Sequence, residues 1–505
     1  LTVPLRRRLE NLSLRWQARL DSEWSDRVLP WAAATGLFVL LALLSLAKAR
    51  SLDGTLDLAA YTQAAWLVGE GAKPVVTVTT DAHVLAQQAA FLFYPITLVT
   101  YVVPIVAALL LVQSAALAVA VVPLWWIGRR LANLRPGASL TVLFVYACYP
   151  VMHNLNLDGF HPETLALPGL LGAMYFGLRG RWWPFAACAA VVMLARADLG
   201  LAIAGLGGLL AVEGHRRAGL TTVVVGAGWT VLCAAVVQPW FGDGSYAHVD
   251  AFAAFGDTPL TVLVGMITDP LEVLGRITGE LNFQLFVVLF APVAFLPVIA
   301  FRYLVPVLPL QFLYLVAEVP REAVFGQQTV AITAFVFLAT AFALARIGRM
   351  GVEKVTVDRR VLGALLLAGT VFFIRDAASS PYRQPWDWGG RDIVDFARIQ
   401  AADRIEPDAS ARVSPSLATQ LAQRPRLHAL TPGERPDPNT AAAGVDVIVL
   451  DERQVPQWTD VERQVFRLGL DSLGFDQVSA DQGIELFVRR GSGALRPPPE
   501  PSSPS

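Results

Sequence analysis

The sequence predicts a mainly α-helical, polytopic transmembrane bundle followed by a small C-terminal α/β domain. Three observations carry that prediction. Across 505 residues the chain is 54% hydrophobic and 16% charged, with a mean hydropathy of +0.50, too apolar for a soluble enzyme of this size. Long apolar runs alternate with short loops in which basic residues gather on one side. Beyond Arg375 the composition turns polar, with turn signals and ordinary globular periodicity.

In order along the chain, residues 1–27 form a basic amphipathic segment with Arg6, Arg7, Arg8, Arg15, Arg19 and Arg27, which the positive-inside rule places in the cytoplasm. The apolar run 28–47 is long enough to span and is not followed by a small-residue cleavage pattern, so it reads as a retained helix. Residues 48–103 then make a large external loop, whose proline-broken piece 89–104 reads as a re-entrant or interfacial helix. A span over 105–127 returns the chain to Arg129, Arg130 and Arg135. The next span ends near Met152, and another comes back to Arg179 and Arg181. A short pair, 184–195 and 199–212, is interrupted by Arg196 and Asp198 and ends at Arg216 and Arg217. The span 220–237 opens a second external loop, 238–282, and later spans lie at 284–300, 303–317, 328–345 and 361–374. The total is about eleven, with the N-terminus inside and the C-terminus outside. The transmembrane domain is thus 28–375, an extracytoplasmic α/β domain occupies 376–490, and the Pro- and Ser-rich end, 491–505, is expected to be disordered. Within the α/β domain, the run 445–450 reads as a buried strand, and 393–405 and 461–473 as helices.

The near-neutral net charge argues against a nucleic-acid partner and leaves membrane lipid as the expected surroundings. Cys148, Cys188 and Cys233 fall inside apolar runs without metal or disulfide spacing and read as packing residues.

This topology puts the candidate chemistry on the external side: Asp57, Asp81, His83, Asp158, His161, Glu163 and the pair Arg196 and Asp198, drawn from four separate loops. Each also has a plainer reading. Asp57 sits at the start of a helical pattern, as an N-terminal cap or as a catalytic carboxylate. Asp81 and His83 are weak candidates for a divalent metal or for substrate contact. Asp158, His161 and Glu163 form either a site or a solvated turn with an acidic helix start. Arg196 and Asp198 are an ion pair that makes a broken membrane helix tolerable, or a ligand site whose guanidinium is placed for phosphate. Trp125, Trp126, Trp182 and Trp183 read as interfacial belt residues.

The order Leu56, Asp57, Tyr61, Gln63 and Trp66, then Asp81 and His83, then Asp158, Gly159, Phe160, His161, Pro162 and Glu163, then Arg196, Ala197 and Asp198 resembles a bacterial and archaeal family of predicted polytopic membrane proteins of unknown function. That family is distantly similar to the GT-C glycosyltransferases, the fold of protein O-mannosyltransferases and aminoarabinose transferases. The resemblance covers most of 50–330 and continues into the tail at 405–413 and 445–451. It implies a GT-C-like bundle at the outer face of the cytoplasmic membrane. There a sugar on polyprenyl phosphate is the donor, Asp57 the general base, and Tyr61, Gln63, Asp81, His83, Asp158, His161, Glu163, Arg196 and Asp198 line the substrate site. The chain departs from the pattern at Ala82, where a histidine is expected, at Ala197, where an acid is expected, and at Gln327 and Gln328, in place of a histidine and an aromatic residue. These departures weaken a metal or an extended acid network and leave Asp57 untouched. Two other classes compete with the transferase: a transporter or lipid flippase, whose broken helices around Arg196 line a path, and a non-catalytic membrane scaffold.

Overall fold

The computed structural model describes residues 21–496 apart from 53, 245, 247, 352–353, 383–388, 432–434 and 456–457. The basic run through Arg19 and the end of the chain beyond 496 lie outside them.

The protein is mainly helical. Five helices are long and apolar enough to cross a membrane: Glu23–Arg50, Ile105–Leu131, Pro136–Leu157, Arg216–Phe241 and Arg321–Ile347. The number rises to seven if the bent pairs Pro270–Ile277 with Glu280–Val293 and Leu296–Tyr303 with Val305–Val316 each count as one span. The remaining expected spans fall on shorter or more charged helices. Trp182–Ala195 and Gly200–Val212 have 14 and 13 residues, fewer than the ~20 that an upright helix takes to cross a ~30 Å hydrocarbon core at ~1.5 Å per residue. Arg359–Asp376 carries Arg359, Arg360, Arg375 and Asp376 at its ends. The proline-broken piece after Ala89 folds into two short helices, Phe93–Thr97 and Leu98–Tyr101, before Pro104 starts the long helix anew. All three cysteines are free.

At the C-terminal end lies a five-stranded sheet in the order Leu427–Ala429, Ala411–Val413, Val447–Asp451, Ile484–Arg489, Phe475–Asp481. Its first three strands are parallel and the last two antiparallel. Val447–Asp451 is buried throughout: its apolar residues 447–450 suit a central strand, and Asp451 at its end pairs with Arg398 at 2.6 Å. Helices Ile393–Asp403 and Asp460–Ser472 accompany the sheet, each opened by a reciprocal capping box.

Two cores organise the molecule. The larger packs the long helices around Leu41, Trp125, Tyr146, Tyr149, Phe335 and Phe337. In the second, Leu58, Ala59, Tyr61 and Ala64 of helix Leu56–Gly69 share one apolar cluster with Val413, Leu417, Val449 and Leu486 of the sheet region. The sheet therefore rests directly on the helix that carries Asp57. Polar bonds pin the same contact: Thr77 Oγ1 donates to Leu427 O at 2.7 Å, and Gln63 Nε2 donates to Arg424 O at 3.3 Å.

Candidate functional site

The site is assembled on three backbone devices. The first is the start of helix Leu56–Gly69. Its cap is Thr55, extended at φ −95° and ψ 160°, whose Oγ1 accepts from Leu58 N at 3.3 Å and donates to Asp158 O at 3.0 Å. With Thr55 as the cap, the Asp57 carboxylate in the first turn is left for tertiary contacts, where the helix dipole also favours a negative charge.

The second device is the turn from Asp158 to His161. Gly159 has φ +106°, and a Cβ there would lie 2.2 Å from Thr55 Oγ1, so only glycine fits. Gln113, fully buried in the helix from Ile105, clamps this turn. Its Nε2 donates to Leu155 O at 2.9 Å and Gly159 O at 2.6 Å, while its Oε1 accepts from His161 N at 2.8 Å. An amide in an apolar run was the one sequence signal for this residue, and sequence reasoning missed it. Gly159→Ala is expected to destabilise the fold by about 1–3 kcal/mol through strain and collision. The control Gly137→Ala, whose Cβ would meet nothing within 4 Å, should be neutral or stabilising; equal melting temperatures for the two variants would sink this account.

The third device is the break between helices Trp182–Ala195 and Gly200–Val212, where Arg196 is extended (φ −164°, ψ 142°) and its side chain leaves the helical path.

These devices bring six of the sequence candidates together. His161 Nδ1 lies 3.9 Å from Asp57 Oδ2, and its Nε2 lies 3.4 Å from Asp158 Oδ2. Both are ion-pair contacts, too long for well-formed hydrogen bonds. Arg196 Nη1 donates to Glu163 Oε1 at 3.0 Å, and Nη2 donates to Asp198 Oδ2 at 2.8 Å and to Tyr314 Oη at 3.2 Å. Tyr314 Oη in turn donates to Asp198 Oδ2 at 2.6 Å. Tyr314 sits in a proline-rich apolar stretch and carried no sequence signal. Four carboxylates face two cations, so with all six ionised the cluster is net negative. Three of its buried polar atoms, His161 Nε2, Glu163 Oε2 and Asp198 Oδ1, lack a hydrogen-bond partner among the described residues.

The electrostatics separate the members. Burial opposes charge on His161, whose side chain is 2% exposed. The neighbouring Asp158 and the fields of Glu163 and Asp57 outweigh that and bring its pKa up to about 9. Asp57 is 52% exposed, yet protein withdraws its carboxylate in part from water. That burial raises its pKa, His161 lowers it, and Asp158 and Glu163 raise it again. For His161 the folded value lies above the ordinary 6.5, so its charged form stabilises the fold fully below that pH and the contribution is lost as pH rises through about 9. The melting temperature should fall across that window, and His161→Gln should flatten the fall; an equal decline in both proteins would refute the assignment.

The other sequence candidates are placed differently. Tyr61 is buried, with its ring edge-on to Phe160 at 5.2 Å and its hydroxyl donating to Gln88 Oε1 at 3.0 Å. Gln63 is occupied structurally: its Oε1 accepts from Thr77 N at 2.9 Å and Val78 N at 3.3 Å, and its Nε2 donates to Thr77 Oγ1 at 2.9 Å. Asp81 faces His428 Nδ1 at 4.0 Å. His83 Nδ1 instead accepts from Leu85 N at 3.2 Å, its ring stacked on Phe241 at 4.6 Å. Asp81 and His83 thus find separate partners, although only Ala82 lies between them. Among the described residues no group of three or more His, Cys, Asp or Glu side chains is arranged to hold a metal ion.

A search of curated proteins returns no match. Residues 48–486, which take in the six-residue cluster, most of the sheet and the bundle after its first long helix, match the family described as "Predicted membrane protein (DUF2079)", and the chain belongs to that family of membrane proteins of unknown function.

Proposed function

We propose that this membrane protein is a glycosyltransferase that moves a sugar from a polyprenyl-phosphate donor to an acceptor of the cell envelope, with Asp57 as general base. The observation that carries the reading is the contact of Asp57 with His161 at 3.9 Å in a cluster where Asp57 is the most exposed carboxylate. In the step, the acceptor O–H gives its proton to the Asp57 carboxylate and its oxygen bonds to the anomeric carbon. The bond from that carbon to the phosphate oxygen breaks, and its electron pair leaves with the lipid phosphate. The net negative cluster suits the proton transfer better than it suits the phosphate. Both terminal nitrogens of Arg196 are engaged by Glu163, Asp198 and Tyr314, so in this reading Arg196 organises the acids rather than meeting the phosphate.

The reading carries a topology with it: about eleven spans in the cytoplasmic membrane, counting the shorter helices, with the N-terminus inside and residues 376–490 outside. One observation favours a transporter instead. The Arg196 ion pairs lie at a break between two short apolar helices, the kind of interruption that lines substrate paths. Vesicles containing the full chain, a labelled lipid-linked sugar and an acceptor separate the two. Label on the acceptor, lost in Asp57→Asn, supports transfer, whereas unchanged donor appearing on the opposite leaflet supports transport and ends the transferase reading.

A further inference from the structure

A cavity of about 510 Å3, lined by none of the six clustered side chains, lies between the helices that begin at Glu280 and Arg321 and the one that ends at Asp376. All three helices change from charged to apolar at this level, the pattern expected at lipid head-group depth. One wall is apolar, built of Phe283, Val287 and Phe325, and Phe283 is 65% exposed.

The rim carries both signs of charge. Arg375 and Asp376 neutralise each other through two bonds of 2.8 Å. Arg321 is left with an amide and a ring, Nη2 donating to Gln284 Oε1 at 2.9 Å and the guanidinium lying 4.9 Å from the Phe325 ring centre. Beside it, Glu322 also lines the cavity. Among the described residues neither Arg321 nor Glu322 forms an ion pair. An acyl chain along the apolar wall, a phosphate on Arg321 and an ammonium on Glu322 would satisfy all three surfaces at once.

We infer that this cavity is a binding site for a single zwitterionic phospholipid bearing a primary amine, held by Arg321 and Glu322. The inference is independent of the transferase reading. Native mass spectrometry of the delipidated full chain in detergent, offered phosphatidylethanolamine, phosphatidylglycerol or inorganic phosphate, tests it. The chain should retain one phosphatidylethanolamine in preference to phosphatidylglycerol. Arg321→Gln should weaken both lipids about tenfold, the weight of one charge-assisted hydrogen bond. Glu322→Gln should bring phosphatidylethanolamine down to the level of phosphatidylglycerol, and Val287→Trp should expel either lipid by filling the wall. Equal retention of the two lipids by the parent chain overturns the inference. So does displacement of the lipid by inorganic phosphate, or a preference that survives both charge substitutions in folded protein.

Discussion

Replacing Asp57 with Asn is expected to abolish sugar transfer while leaving the protein folded. The two side chains are nearly the same size, and Thr55, not Asp57, caps the helix, so the local backbone keeps its support. What disappears is the group that takes the acceptor proton, an effect of about 10²–10⁴ in rate. His161 loses one of its facing anions but keeps Asp158 at 3.4 Å, so its pKa should move downward. Because Asp57 is half exposed, the stability change should stay small. The measurement is the glycan or glycolipid content of the envelope in a strain lacking its own copy, with melting of the purified variant as control. Unchanged envelope chemistry with folded Asp57→Asn protein would count decisively against the transferase.

Arg196→Leu should have the largest effect on stability. Glu163 is 1% exposed, and among the described residues its ion-pair partner is Arg196. Removing that cation leaves a buried carboxylate uncompensated, at a cost of about 3–5 kcal/mol. Asp198 fares better, since it is 24% exposed and keeps the Tyr314 hydroxyl at 2.6 Å. The double variant Arg196→Leu with Glu163→Gln should therefore recover much of the loss, because the amide needs no counter-ion. Denaturant titrations of the parent, single and double variants give the comparison. A single variant as stable as the parent would show that the Arg196 pairs hold nothing together.

The membrane-spanning character of the long apolar helices was legible in composition and length alone, because lipid demands uninterrupted apolar helices of a set size. The count of spans was less legible. Runs such as 184–195 and 199–212 have the right composition, but a sequence does not say whether 13 or 14 residues cross a membrane or shelter behind neighbours. Residue types likewise singled out Asp57, Asp158, His161, Glu163, Arg196 and Asp198, since an ionisable group in an apolar chain stands out. By the same rule Asp81 and His83 stood out too, Gln63 was singled out only by the family resemblance, and nothing local distinguished the three.

By itself, then, the sequence determined a helical membrane protein with ionisable residues concentrated in a few loops and a compositionally distinct tail. Only the tertiary structure decided which of those residues meet. Gln63 is spent on Thr77 and Arg424, Asp81 turns to His428, and His83 stacks on Phe241. Asp57 instead comes to His161, because Thr55 joins the helix start to Asp158, Gly159 lets the two segments touch, and Gln113 holds the turn. The physical reason is range. Hydropathy and propensity act within a segment of a few turns, whereas the cluster depends on contacts between residues roughly fifty to a hundred and twenty positions apart.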